Sequence, residues 1–368
     1  MKTVKIIFVA GARPNFVKIA PLLEETKKYS NIKSVLVHTG QHYDFLMSKV
    51  FFDELLIPEP NYNLNVGSGT RAYQIEAVRN EIKKVFRKEN PNLVVVVGDT
   101  NSTLAAALAT KDLGIILAHV ESGLRSFDNR MPEEGNRILT DKISDFLFCT
   151  EPSAIKNLVK EGVAKNKIFY VGNVMIDTLL KSKAEIKNSK VLEKLGLKNK
   201  KFAVLTLHRQ ENVDDKKVFK NLLLAIGEIQ KKVNVIWPVH PRARKMIKDL
   251  GFEDLIEKLE SLILIEPLNY LSLLSLMSRA RLVLTDSGGI QEETTVLKIP
   301  CLTMRKSTER PVTVEIGTNK IVGLNKNNII KEANKILEGK SKKGKIPKYW
   351  DGKASKRIIK IISKKYEQ

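Results

Sequence analysis

The chain has 368 residues, 43% hydrophobic and 28% charged, the composition of a soluble globular protein of about two domains. Its two cysteines, Cys149 and Cys301, exclude by count a disulfide scaffold or a cysteine-based zinc site; lying in apolar runs, they are expected as buried reduced thiols of a cytoplasmic protein. A formal charge of +22 makes a polyanion partner the class to test, and no apolar run reaches the ~18 residues of a membrane span.

The alternation of apolar and polar residues predicts a strand at 4–9, running directly into a helix at 15–28 without the cleavage site of a signal peptide. Strand 34–38, helices 45–55 and 71–88, strand 93–97, helix 102–113 and strand 115–120 follow. A helix starting at Glu133 and strands 146–149 and 168–171 complete the first series. After a Lys-rich helical stretch at 181–201 the pattern restarts. Strand 202–207, helix 218–231, strand 233–239, helix 242–250, strand 262–265 and helix 271–280 come first. Strand 282–285, helix 289–297, strand 301–304 and helix 327–337 follow, and an amphipathic terminal helix spans 354–366. Continuous Val/Ile runs such as 93–97 suit parallel strands buried on both faces. The expectation is an α/β protein of two Rossmann-like, doubly wound domains facing a central cleft: residues 1–172, residues 173–350, and a C-terminal helix at 351–368 packing back on the first domain.

The charge is localised. Residues 181–201 carry +6 and residues 331–368 carry +9, leaving +7 for the other 309 residues. The excess is mostly Lys on helix-like segments without interleaved aromatics, which reads as solvated surface rather than a nucleic-acid tract, since base stacking needs aromatic platforms. No nucleic-acid or membrane partner is therefore expected.

In doubly wound sheets ligands bind beyond the carboxyl ends of the strands, so the polar residues there are the candidates. Gly11-Ala12-Arg13-Pro14-Asn15 follows the first strand and lacks the dinucleotide fingerprint; Arg13 and Lys18 are either anion contacts or ordinary surface cations. Gly98-Asp99-Thr100 and His119-Val120-Glu121 end two neighbouring strands. The two carboxylates would approach each other and raise at least one pKa, as acid/base work requires; the alternative is that Asp99 or Thr100 caps the next helix. Pro132-Glu133-Glu134 is an ordinary helix start. His208 and His240 are two of only five histidines, and both follow strands of the second series. Asp286-Ser287-Gly288-Gly289 joins a strand to a helix, where backbone N–H groups and the helix dipole form a phosphate cradle. Glu293 lies further along that helix, within reach of a ribose diol, and Arg305 and Arg310 add cations. No metal-ligand spacing and no nucleophile elbow occur.

Taken in order from residue 11 to residue 311, these segments closely resemble the non-hydrolysing UDP-N-acetylglucosamine 2-epimerases. They include His119-Val120-Glu121-Ser122-Gly123-Leu124-Arg125, Pro132-Glu133-Glu134-Gly135-Asn136-Arg137, His208-Arg209-Gln210-Glu211-Asn212, Ser287-Gly288-Gly289-Ile290-Gln291-Glu292-Glu293 and Thr308-Glu309-Arg310-Pro311. The resemblance implies a glycosyltransferase-B-like fold and a homodimer without NAD or metal. It implies interconversion of UDP-N-acetylglucosamine (UDP-GlcNAc) and UDP-N-acetylmannosamine (UDP-ManNAc) by elimination and re-addition of UDP. It makes Asp99, Glu121, Glu133 and His208 catalytic, and Arg13, Lys18, Ser287, Gly288, Gly289, Glu293 and Arg310 substrate-binding. The resemblance also implies uracil contacts that come in part from backbone around Pro267 to Leu273. A second, activating UDP-GlcNAc site would use Gln41, Arg71, Arg209 and His240, with Asp44 standing where many bacterial members have Gln. A hydrolysing epimerase and a nucleotide-sugar glycosyltransferase of the same fold are the rival readings.

Overall fold

A computed structural model describes residues 3–40, 54–67, 69–128 and 130–367, which form two compact units: residues 1–181 with 348–368, and residues 182–347.

The first unit is built on seven parallel strands in the order β3-β2-β1-β4-β5-β6-β7. They are β1 (Val4–Ala10), β2 (Ile32–His38), β3 (Tyr62–Asn63), β4 (Leu93–Val97), β5 (Ile116–Ser122), β6 (Phe146–Cys149) and β7 (Ile168–Tyr170). The order reverses direction between β1 and β4, where Ile7 pairs with Val35 on one side and Val94 on the other. All five residues of β4 are fully buried, as a strand covered by helices on both faces must be. One face packs Ile7, Val9, Val94 and Val96 against Ile82 and Phe86 of α2 (Arg71–Glu89) and Ala106 and Ala109 of α3 (Asn101–Asp112). Helix α1 (Arg13–Thr26) packs with α6 (Val174–Lys181) and with the C-terminal helix α17 (Ala354–Tyr366).

The return of the chain to this unit is pinned by polar groups. The buried Trp350 donates its indole N–H to the Thr150 carbonyl at 3.0 Å. The Asp177 carboxylate of α6 accepts from the Ala354 and Ser355 N–H groups at 3.1 and 2.7 Å, an anion seated on the N-terminus of α17. Sequence patterning put the first boundary after residue 172. The structure keeps α6 with the first unit because its apolar face, including Ile176 and Leu179, is buried there.

This unit also contains α4 (Pro132–Ile143) and α5 (Pro152–Lys160). Patterning passed over α5 although Pro152 occupies a favoured first-turn position. Most of the helix predicted at 45–55 lies outside the described residues.

The second unit opens with the Lys-rich stretch, folded as α7 (Lys183–Asn188) and α8 (Val191–Lys194). Its lysines are largely exposed, while Ile186, Val191 and Leu197 are buried. Six parallel strands follow, ordered β10-β9-β8-β11-β12-β13: β8 (Phe202–Thr206), β9 (Asn234–Pro238), β10 (Leu262–Ile265), β11 (Leu282–Thr285), β12 (Cys301–Thr303) and β13 (Asn319–Ile321). Counted from its own first strand this is the 3-2-1-4-5-6 order of dinucleotide-binding folds, with the switch point between β8 and β11. The intervening helices are α9 (Gln210–Val213), α10 (Lys216–Ile229), α11 (Pro241–Asp249), α12 (Glu253–Glu257), α13 (Tyr270–Ser278), α14 (Gly288–Leu297), α15 (Pro311–Glu315) and α16 (Lys326–Leu337). Trp237 and Phe252 meet Phe219 edge-on in the core.

Candidate active site

In the first unit the switch point is stapled by Asn15. Its Oδ1 accepts from the Gly11 and Ala12 N–H groups at 3.1 and 2.9 Å, and its Nδ2 donates to the Val97 carbonyl at 3.0 Å. This joins the end of β1 to the end of β4 and sets α1 so that Lys18, one turn in, faces the same place. Gly98 continues from β4 with φ +70°, a left-handed conformation that costs glycine nothing. Asp99 comes next. The cap of α3 is Thr100, whose hydroxyl accepts from Thr103 N, so the capping alternative for Asp99 falls away.

Glu121 reaches this point by breaking its strand. Val120 pairs with Phe148 and Ser122 with Cys149, leaving Glu121 as the extra residue of a bulge. Its φ is +69°, a conformation that costs an L-residue about 1–2 kcal/mol and persists only where the surroundings over-determine it. Here they do. The carboxylate is buried, ion-paired with Lys18, and receives Arg137 at 3.3 Å. Arg137 also donates to Asp99 Oδ2 at 2.6 Å. The sequence predicted two carboxylates in mutual repulsion. The structure instead sets a guanidinium between them and an ammonium beside them, so the like charges are compensated. Asn136 holds the Asp99 carbonyl at 3.0 Å and is itself held by Arg71 at 2.7 Å. Asn136 and Arg137 stand in the quoted Pro132–Arg137 motif, but the sequence gives neither a role, since both look there like the polar side of a helix.

Glu133 is exposed in the first turn of α4 and is not drawn into this cluster by the contacts above. Its neighbour Glu134 is the buried one, bracing the 126–127 turn through three hydrogen bonds. Gln41 and the side chain of Arg13 lie outside the described residues.

The second unit centres on Asp286, fully buried at the end of β11. Its Oδ2 accepts from the backbone N–H groups of His208 and Arg209, both at 3.0 Å, and from Asn212 at 3.2 Å. Its Oδ1 faces His208 Nδ1 at 2.9 Å. Burial works to raise the Asp286 pKa, but the hydrogen bond and charge of His208 with the two backbone donors prevail and hold it below the usual carboxylate value. A carboxylate gripping Nδ1 fixes the ring and leaves Nε2 as the working atom. The His208 side chain is 38% exposed, so that atom has access to a ligand. His240 lies 5.5 Å from His208, ring to ring, and caps α11 through Nδ1. Arg209 donates to the Asp286 carbonyl at 3.1 Å.

Across the switch point, Ser287, Gly288 and Gly289 open α14, and no side chain caps it, so its first N–H groups remain for an anion. Arg310 lies across this turn: a Cβ on Gly288 would stand 2.5 Å from Arg310 Nη1. The guanidinium pairs with Glu292 at 3.0 Å and Glu309 at 3.4 Å. Burial works to raise the Glu309 pKa, but Arg305, Arg310 and Arg209 hold it well below normal. Glu293 is buried against Tyr270 of α13; burial, reinforced by Glu292 and only partly offset by the tyrosine hydrogen bond, pushes its pKa up to about 8.

The structure thus assembles Lys18, Asp99 and Glu121 in one cluster, and His208, His240, Arg209, Ser287, Gly288, Gly289 and Arg310 around the second switch point. Among the described residues no group of three or more His, Cys, Asp or Glu side chains is arranged to hold a metal, and no helix is long and apolar enough to cross a membrane.

A family model described as UDP-N-acetylglucosamine 2-epimerase matches residues 24–363. A crystal structure of Methanocaldococcus jannaschii UDP-GlcNAc 2-epimerase in complex with UDP-GlcNAc and UDP is 45% identical. It covers 98% of this chain and 99% of that one, with a TM-score of 0.91. The Neisseria meningitidis UDP-GlcNAc 2-epimerase bound to UDP-GlcNAc is 32% identical, covers 98% of this chain and 100% of its own, and has a TM-score of 0.89. The UDP-2,3-diacetamido-2,3-dideoxy-D-glucuronate 2-epimerase of Pseudomonas aeruginosa is 42% identical over 98% of this chain and 99% of its own length.

Proposed function

The chain belongs to the UDP-N-acetylglucosamine 2-epimerase family, and from that premise we propose that it interconverts UDP-GlcNAc and UDP-ManNAc by eliminating and re-adding UDP. The C2 hydrogen of the sugar has no adjacent carbonyl and is weakly acidic. Its removal becomes feasible when the electrons of the C2–H bond form a C1=C2 double bond and those of the C1–O bond leave with UDP. The intermediate is 2-acetamidoglucal. UDP then bonds again to C1 while a proton arrives at C2 from the opposite face. The net change is redox-neutral and calls for no hydride carrier.

Such a route needs proton-transfer groups beside the ring and fixed positive charge on the departing diphosphate. The observation that carries the reading is the second switch point. There the open N-terminus of α14, the Asp286-held His208 and the Arg310 guanidinium converge on one turn, which suits a leaving nucleoside diphosphate. Asp99, Glu121 and Glu133 are assigned to proton transfer, Arg13 and Lys18 to substrate anions, and Glu293 to the ribose. The same reading makes the protein a cytoplasmic homodimer with a second, activating UDP-GlcNAc site at Gln41, Arg71, Arg209 and His240.

Proton NMR of an acceptor-free incubation with UDP-GlcNAc tests this. UDP-ManNAc is the expected product. Free ManNAc accumulating in step with UDP would establish a hydrolysing enzyme, and no turnover without an acceptor would favour a glycosyltransferase. Because the Pseudomonas relative is nearly as similar as the archaeal one, UDP-2,3-diacetamido-2,3-dideoxy-D-glucuronate is the second substrate to run; its turnover at a higher kcat/KM would reassign the sugar while keeping the reaction.

A further inference from the structure

His119 stands two residues before Glu121 on β5 and is completely buried. Its Nδ1 faces Asp141 Oδ1 at 2.7 Å, and its Nε2 faces the Gly98 carbonyl at 2.8 Å. A carbonyl oxygen only accepts, so Nε2 carries hydrogen. Asp141 Oδ2 already accepts from the Gly123 N–H at 3.0 Å and from Arg125 at 2.7 Å. Burial works to raise the Asp141 pKa, but His119 and Arg125 hold it below normal. With Nε2 committed to the carbonyl, Nδ1 is left to Asp141, whose carboxylate the Gly123 N–H and Arg125 hold in place. Arg125 is in turn clamped by Glu161 at 2.7 and 2.8 Å, and the nearby Cys149 thiol is pushed up to about 12 by burial and stays neutral.

We propose that His119 is a positioning residue for the C2 chemistry, gripping the Gly98 carbonyl through Nε2–H and so setting the turn that presents Asp99; this rests on the function proposed above. Gly98 is held from both sides by β5, since its own N–H donates to the Val120 carbonyl at 3.0 Å. Asp99 is then fixed at three successive points: the preceding carbonyl by His119, its own carbonyl by Asn136, and its carboxylate by Arg137.

The spacing explains why one strand and one helix suffice. Arg137 and Asp141 are four apart on α4, about 6 Å along a helix. Glu121 and His119 are two apart on β5, and Arg137 meets Glu121 while Asp141 meets His119. The same rigid pairing that holds the histidine places both carboxylates.

The test uses the full chain. In labelled-histidine NMR, Nε2 of His119 should show a bound hydrogen. A ring with no hydrogen on Nε2 would overturn the proposal. Kinetics separate positioning from packing. His119→Gln places its amide near Nε2 and keeps the Gly98 bond. His119→Asn places its amide near Nδ1 and keeps only the Asp141 bond. The glutamine variant should retain kcat within about tenfold. The asparagine variant should lose about a hundredfold, with KM and UDP affinity little changed, as a misplacement of about 1 Å predicts. Equal kcat per folded molecule in the two variants would overturn the proposal. If neither variant folds, the wild-type NMR result decides. If wild-type protein turns over no UDP-GlcNAc, the functional reading fails on its own and the ring protonation is still read.

Discussion

Replacing Asp286 by Asn removes one charge and changes almost no volume. In the native site the carboxylate takes His208 Nδ1–H on one oxygen, and two backbone N–H groups and Asn212 on the other. An amide can keep its oxygen toward the backbone donors, but its NH2 group must then face the His208 N–H. The charge-assisted bond that is lost is worth about 1.5–3 kcal/mol, or about ten- to a hundredfold in kcat where it supports the transition state. For a unit of this size the same loss lowers Tm by about 3–12 °C. The pH dependence has a defined sign. Because Asp286 is held below its unfolded value, its contribution is fully present above about pH 4 and is lost as pH falls through the folded value. The gap in Tm between wild type and Asp286→Asn should therefore shrink on acidification. The assay is kcat and KM for UDP-GlcNAc by NMR, with Tm by calorimetry from pH 3 to pH 8. An Asn variant with wild-type kcat, or a gap that widens in acid, would refute the reasoning.

Three further outcomes are expected. Asp99→Asn and Glu121→Gln should each lower turnover by about two or more orders of magnitude while UDP binding by calorimetry is kept; near-wild-type turnover in either would remove that residue from the chemistry. Gly288→Ala places a methyl group 2.5 Å from Arg310 Nη1, so the guanidinium must move and UDP affinity should fall by about tenfold, the equivalent of ~1.4 kcal/mol. Glu293 has its folded pKa raised to about 8, so burying it favours the neutral form, and the stability it allows declines as pH rises from its unfolded value through 8. Glu293→Gln should therefore be relatively more stable at pH 8.5 than at pH 5 in denaturant titrations, and no change with pH would contradict the assignment.

The parallel sheets were legible because they are written in runs such as Leu93–Val97, which only a doubly covered strand tolerates. What escaped was set by distant pairing. Strand β5 was read as ending at Val120; it runs to Ser122 through a bulge whose cause is Lys18 and Arg137, supplied by helices elsewhere in the chain. Asp286 stood inside a recognised phosphate-cradle sequence, yet its partners lie 74–78 residues away, so nothing local marked it as the support of His208. Strand β13 has three residues, too few for a period to show. The lysines at 181–201 were legible as surface because no aromatic is interleaved among them, and in the structure they are largely exposed while Ile186, Val191 and Leu197 are buried.

The central claim is that the C2 proton leaves and returns while UDP departs and is recaptured. Incubation with UDP-GlcNAc in D2O, followed by proton NMR and mass analysis, tests it most directly. The account predicts UDP-ManNAc and recovered UDP-GlcNAc that both carry deuterium at C2, without free ManNAc accumulating in step with UDP. Epimerised product that retains the original hydrogen at C2 would contradict it.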